Sequence, residues 1–132
     1  MFRGLYADRI EKKSRRGHAG YPVATIAFYG PDDTRASKLV FAVVPSDDPE
    51  AGLLAEQKWF SETTDLRYDA KLAREVLALI ETHKCPTVAM PERIIGCPHE
   101  SGKDYPNGED CTQCPFWVGR DRFAGTGIKE SD

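Results

Sequence analysis

The chain contains four metal-binding side chains within eighteen positions. Cys97 and His99 are separated by one residue, and eleven residues then precede a C-x-x-C pair, Cys111 and Cys114. Thiolates and imidazoles bind zinc, usually four in a tetrahedron, and a complete set leaves no position for a catalytic water. The intervening loop contains glycine and proline, so the chain can turn back on itself. The spacing therefore predicts one structural zinc ion held by Cys97, His99, Cys111 and Cys114.

Other assignments of the cysteines stay open at the level of sequence. Cys85 in place of His99 would give four thiolates, which also suit an iron–sulfur cluster. A redox role for the C-x-x-C pair is less well supported, because Cys111 neither follows a strand nor opens an evident helix. Since Cys85 stands directly before a helix-ending proline, we expect it to pack in the core.

The surroundings of these cysteines carry a resemblance. The segments 93–100, 104–106 and 111–117 (RIIGCPHE, DYP and CTQCPFW) resemble a signature of small bacterial proteins of unassigned function. More loosely, they are similar to a zinc-ribbon or zinc-knuckle element. The resemblance covers roughly a quarter of the chain. It implies metal binding and implies no reaction or partner.

Known catalytic patterns do not match this segment. Zinc deaminases place a glutamate two residues after the first ligand and a proline before the C-x-x-C pair. Here His99 follows Cys97 at that distance, and Asp110 precedes Cys111. The metalloprotease, hydrolase-elbow, phosphate-loop and dinucleotide motifs are also missing from the sequence. These observations favour a binding module without catalytic activity.

A metal-dependent enzyme acting on nucleotides or nucleic acid is the first alternative. Such enzymes hold divalent cations with carboxylates on adjacent strands. The two expected strands contain no acidic residue, so only Asp32, Asp33 and Glu92 could serve. Their approach to one another in a pocket would support this alternative.

A basic N-terminal segment suggests a second alternative. The net charge is -3, yet residues 1–20 carry six basic side chains against two acidic ones. Such a segment could contact phosphates and make the chain a nucleic-acid-binding accessory protein. Without interleaved aromatics, we expect instead a solvated arm or one docked on the acidic body. The candidate phosphate contacts are Arg9, Lys12, Lys13, Arg15 and Arg16.

The periodicity of the sequence predicts the elements that must position the metal ligands. Apolar, β-branched segments at 21–29 and 38–45, joined by turn residues, predict a β-hairpin. The apolar stripe of 69–84 predicts a helix with Asp69 as its N-cap and with His83 and Lys84 at its C-terminal end. Residues 87–90 predict a short buried strand. Residues 53–61 fit either a strand or a short helix. We therefore expect an α+β fold: a small, mostly antiparallel sheet packed by the helix, with an irregular C-terminal zinc-binding lobe.

The 132 residues are enough for one domain. We expect a basic arm (1–20), an α+β core (21–90), a metal-binding lobe (91–119) and a tail (120–132). No apolar stretch reaches the ~20 residues of a membrane span, and no export signal is evident, so we expect a cytoplasmic protein without membrane contact. Both hairpin strands are apolar on both faces, which would permit a homodimer or another protein partner.

Overall fold

A four-stranded sheet and two helices make up most of the structure, which is a computed structural model. It describes residues 5–91, 93–99, 103, 114 and 116. The predicted tail lies outside the described residues, as does most of the predicted metal-binding lobe. The elements, in chain order, are α1 (Leu5–Ser14), β1 (Val23–Tyr29), β2 (Lys38–Val44), β3 (Ala55–Phe60), a short 3-10 helix (Leu66–Tyr68), α2 (Ala70–Thr82) and β4 (Thr87–Ala89). The predicted α+β class is confirmed.

The sheet is mixed, with the strand order β3-β2-β1-β4. β1 and β2 form the predicted antiparallel hairpin, and β3 adds to β2 in the antiparallel sense. The ambiguous segment 53–61 is therefore a strand, because pairing with β2 satisfies its backbone groups. β4 runs parallel to β1. A parallel neighbour needs a crossover connection, which the chain supplies through β2, β3 and α2.

One face of the sheet carries the hydrophobic core. Ile26 lies opposite Phe41 and Phe28 opposite Leu39 across the hairpin, and all four side chains are buried. The buried residues of both helices belong to the same cluster, so α1 and α2 cover this face together. In α2 these residues follow the predicted helical stripe: Leu72, Ala73, Val76, Leu77 and Ile80.

The ends of α2 match the sequence prediction closely. The Asp69 carboxylate accepts a hydrogen bond of 3.0 Å from the backbone N–H of Leu72, which confirms it as the N-cap. At the other end His83 is the C-cap, and Lys84 adopts a left-handed φ of 53°. In the described ranges, no helix has the length and apolarity that crossing a membrane requires.

Part of the basic N-terminal segment is a helix. α1 buries Ala7 and Ile10 completely and packs against α2 and β4. This helix is not among the predicted elements, since residues 1–20 were expected to form a basic arm. Because only two apolar residues of α1 are buried and many of its residues are charged, its sequence pattern alone does not predict a helix. The helix therefore depends on tertiary packing.

A half-buried ion pair joins two loops beside the sheet. Arg67 donates to the Asp65 carboxylate through Nε (2.9 Å) and Nη2 (2.6 Å). Asp65 also accepts from the backbone N–H of Ala36, and Arg67 donates to the carbonyl of Thr34. The pair therefore fixes the turn between β1 and β2 to the segment that follows β3.

Candidate metal centre

Strand β1 positions the segment that contains the first two predicted ligands. Phe28 and Ile94 form a parallel bridge, and the N–H of Ile95 donates to the carbonyl of Phe28 at 3.0 Å. The N–H of Gly30 then donates to the carbonyl of Gly96 at 2.8 Å. These bonds extend the parallel pairing of the sheet beyond β4. They fix the register of residues 94–96, which directly precede Cys97.

The structure brings three of the four predicted ligands together. The Sγ atoms of Cys97 and Cys114 and a ring nitrogen of His99 all lie within 4.8 Å of one another. His99 Nδ1 is 3.2 Å from Cys97 Sγ and 3.5 Å from Cys114 Sγ. Both cysteines are buried, with 3% and 2% exposure. The cluster can therefore hold a metal ion in a site shielded from water.

The distances agree with the geometry of a small tetrahedral metal site. Zinc–sulfur bonds of about 2.3 Å and zinc–nitrogen bonds of about 2.0 Å place neighbouring sulfur and nitrogen ligands about 3.5 Å apart. Nδ1 is the His99 atom that faces both sulfurs, so it is the ligand atom this arrangement would offer. The backbone N–H of His99 also donates to Cys97 Sγ at 3.2 Å. A hydrogen bond of this kind stabilises a thiolate and orients it.

Lys38 connects the loop that contains Cys97 and His99 to the sheet. Its Nζ donates to the carbonyl of Pro98, between the two ligands, at 3.0 Å. The same ammonium lies 5.5 Å from the ring centre of Tyr29 and 5.7 Å from that of Phe60, which is cation–π range. Lys38 is only 4% exposed. Sequence reasoning missed this residue; the only available signal was a lysine at the start of an otherwise apolar strand.

The two remaining cysteines, Cys85 and Cys111, differ in what the structure describes. Cys85 belongs to the hydrophobic core cluster and is absent from the group formed by the three ligands. Burial raises the pKa of its thiol, as expected for a cysteine packed in an apolar core. Cys111 lies outside the described residues, so its assignment as the fourth ligand stays a prediction.

The predicted phosphate contacts lie on α1 and just after it. Four of them are exposed, and Lys13 is half-buried. Arg9 is 3.7 Å from Glu81 of α2, and Arg15 is 3.0 Å from Glu11. Exposed pairs of this kind contribute little to stability, yet they neutralise part of the positive charge. The five cations are Arg9, Lys12, Lys13, Arg15 and Arg16.

Asp32, one of the carboxylates that the enzyme alternative requires, stabilises a turn instead. Asp32 accepts a hydrogen bond of 2.8 Å from the backbone N–H of Thr34, and bonds from Thr34 lower the pKa of its carboxyl. Asp33 is exposed. Glu92 lies outside the described residues. Within the described part of the chain, the Cys97, His99 and Cys114 cluster is the sole group with metal-site geometry.

Comparisons with protein-family models, with curated proteins and with solved structures gave no match to this chain. The geometry of the Cys97, His99 and Cys114 cluster is therefore the feature from which a function can be inferred.

Proposed function

We propose that this chain is a zinc-stabilised binding module whose metal has a structural role and which has no catalytic activity of its own. The observation that carries the proposal is the convergence of Cys97 Sγ, His99 Nδ1 and Cys114 Sγ within 4.8 Å. Cys111, three residues before Cys114, is the proposed fourth ligand, because a C-x-x-C pair commonly supplies two ligands from one turn.

Zinc is the metal that this donor set favours. Thiolate and imidazole ligands in a tetrahedral arrangement suit zinc, whereas magnesium, calcium and manganese prefer oxygen ligands. When bound, zinc would hold its ligands deprotonated and link the chain segments that carry them. The chain's own residues prepare the site, since the pairing with β1 and the bond from Lys38 to the Pro98 carbonyl set the position of Cys97 and His99.

A structural role agrees with the burial of the ligands. The Cys97 and Cys114 thiols are nearly inaccessible, and four protein ligands would leave no coordination position for substrate or water. The metal would then connect two short segments separated by eleven residues, and its binding free energy would become folding free energy. We propose that the ordered surface, in a reducing compartment such as the cytoplasm, acts by binding a partner.

Metal analysis of the purified full-length chain tests this proposal. We expect one zinc per chain by mass spectrometry of the metal content. His99→Ala and Cys97→Ser should lose most of the zinc and lower the unfolding midpoint. The matched controls are His83→Ala, at the end of α2, and Cys85→Ser, in the core.

The controls distinguish the ligand set from a general loss of fold. His83→Ala should retain its zinc, and Cys85→Ser should retain zinc even where it lowers stability. A full complement of zinc in His99→Ala would remove His99 from the ligand set. A zinc centre with an open water position would contradict the structural role.

Nucleic-acid binding by α1 is a second proposal, favoured by the exposure of four of its five candidate cations. Phosphate contacts predict an affinity that falls steeply as salt concentration rises. We expect Lys12→Ala with Arg16→Ala to reduce the salt dependence of binding to a duplex oligonucleotide. Lys71→Ala, an exposed lysine on α2, is the control. Binding that does not depend on salt would argue against this role.

A further inference from the structure

The outer edge of β3 is the longest strand edge that no other described strand pairs. β3 contains six residues and lies at one end of the strand order. The opposite edge, β4, has three residues, and the Thr87 hydroxyl there contacts both Ala19 and Gly20 of the loop between α1 and β1. An edge of this length presents backbone donors and acceptors to which another strand can add.

The register of the sheet identifies the backbone groups on that edge. The N–H of Ser61 donates to the carbonyl of Ser37, so odd-numbered positions of β3 direct their backbone groups towards β2. Backbone groups alternate in direction along a strand. The N–H and C=O groups of Glu56, Lys58 and Phe60 therefore point away from β2, towards the outer edge.

Two antiparallel copies of β3 can present these outward backbone groups to each other symmetrically. We propose that two copies of this chain pair through β3, with Glu56 of each copy opposite Lys58 of the other and Gln57 opposite Gln57 on the two-fold axis. Both charged pairs then fall at hydrogen-bonded positions, and the two sheets join into one of eight strands. Opposite charges at such positions stabilise the pairing of two strands.

Charge selects this register over its neighbours. Only shifts of two positions keep the outward groups facing one another. One such shift places Glu56 opposite Glu56, and the other places Lys58 opposite Lys58. Like charges directly opposite each other are destabilising. The proposed register does not require Lys58 to give up contacts within its own chain, because an ammonium group has three N–H donors.

Apolar side chains at the two ends of β3 support the same arrangement. Leu53 and Leu54, just before the strand, are 50% and 58% exposed, and Phe60, at its end, is 65% exposed. Antiparallel pairing places the leucines of one copy beside Phe60 of the other. The dimer would thus remove three large hydrophobic side chains per copy from water, on both sides of the charged centre.

Charge reversal tests the pairing in the zinc-loaded full-length chain. We expect the wild type to be a dimer by sedimentation equilibrium at micromolar concentration. Glu56→Lys and Lys58→Glu each convert two attractive pairs into repulsive ones, so each should weaken dimerisation at least ~10-fold. The double variant with both changes restores complementarity and should dimerise like the wild type.

Matched controls separate this effect from net charge and from folding. Glu62→Lys and Lys71→Glu make the same charge changes at exposed positions outside β3 and should leave the dimer intact. Circular dichroism should show that every variant is folded. A monomeric wild type, a dimer that both single variants retain, or a double variant that stays monomeric would overturn the proposal.

Cysteine substitution reads the register directly. Antiparallel residues at a non-hydrogen-bonded pair have Cα atoms about 4.5 Å apart, which is within disulfide range. Gln57→Cys should therefore give a 57–57 intermolecular disulfide under mild oxidation, identified by peptide mass spectrometry. Glu56→Cys and Lys58→Cys should cross-link at least ~10-fold more slowly. A 56–56 or 58–58 product in place of 57–57 would overturn the proposed register.

Discussion

Removal of the half-buried Asp65 carboxylate should destabilise the fold more than removal of an exposed carboxylate such as Asp48. Its Oδ1 accepts from the backbone N–H groups of Ala36 and Arg67, each at 3.1 Å, and from Arg67 Nε. The Asp65 and Arg67 side chains are only 16% and 11% exposed. Asp65→Ala would leave two backbone donors and a largely buried guanidinium without this acceptor.

The magnitude follows from those lost partners. Hydrogen bonds to a charged group contribute about 1.5–3 kcal/mol, and breaking a buried ion pair from one side costs about 3–5 kcal/mol. Because residual exposure lets water reach part of the site, we expect Asp65→Ala to lower the free energy of unfolding by about 3 kcal/mol. For a chain of this size that corresponds to a Tm lower by about 10 °C.

Urea denaturation measures the effect. The midpoint should fall while the m-value stays constant, since the native surface is unchanged. The matched control is Asp48→Ala. Asp48 also accepts a backbone hydrogen bond, from Glu50 at 2.9 Å, but it is exposed and has no arginine partner among the described residues. Its loss should cost less than about 1 kcal/mol.

The pH dependence has a definite sign. Burial alone would raise the pKa of Asp65, but hydrogen bonds from Arg67 and the backbone outweigh it and lower the pKa below 3.8. The stabilisation is therefore complete above the unfolded-state pKa of about 3.9 and is lost as the pH falls through the folded-state value. The stability difference between wild type and Asp65→Asn should stay constant near neutral pH and shrink below about pH 4.

Two results would refute this reasoning. One is an equal loss of stability in Asp65→Ala and Asp48→Ala. The other is a difference between wild type and Asp65→Asn that persists unchanged into acid. Acid also releases metal from thiolates, but both proteins carry the same cluster, so the difference between them isolates Asp65.

Three further substitutions test other parts of the structure. A Cβ at Gly30 would overlap with the carbonyl oxygen of Arg35, so Gly30→Ala should cost about 3 kcal/mol by urea denaturation; a neutral effect would contradict the close approach. Lys38→Met removes the donor to the Pro98 carbonyl and should weaken zinc retention about 10-fold in a chelator competition; unchanged retention would exclude a supporting role. Asp69→Ala removes the N-cap of α2 and should cost about 1 kcal/mol in thermal unfolding; an unchanged Tm would contradict the capping role.

The fold was predictable where the signal is local. The hairpin and α2 follow from periodicity, turn residues and the Asp69 cap, all within a few positions in sequence. The identity of β3 as a strand was not predictable, because its alternation of apolar and polar residues is imperfect. Only pairing with β2 decides between strand and helix. The helix α1 was missed for a related reason, since only Ala7 and Ile10 are buried.

The candidate site was predictable by residue type and less so by its surroundings. One intervening residue keeps the Cα atoms of Cys97 and His99 within about 7 Å of each other, so the proximity of the two residues follows from spacing. Whether Cys114 returns to them depends on the path of the chain, which local sequence does not determine. Lys38 could not be predicted, because its contact with Pro98 joins residues sixty positions apart.

The pairing of residues 94–96 with β1 has a kinetic consequence. The β1–β2–β3 meander closes short loops and can form early, whereas the pairing of Ile94 with Phe28 must wait for most of the intervening chain. Synthesis from the N-terminus also makes β1 available before the cysteines leave the ribosome. Metal binding at the cluster would then be a late event that occurs on a preformed sheet. Nascent chains arrested before residue 97 should already contain the meander while still lacking any affinity for metal at this site.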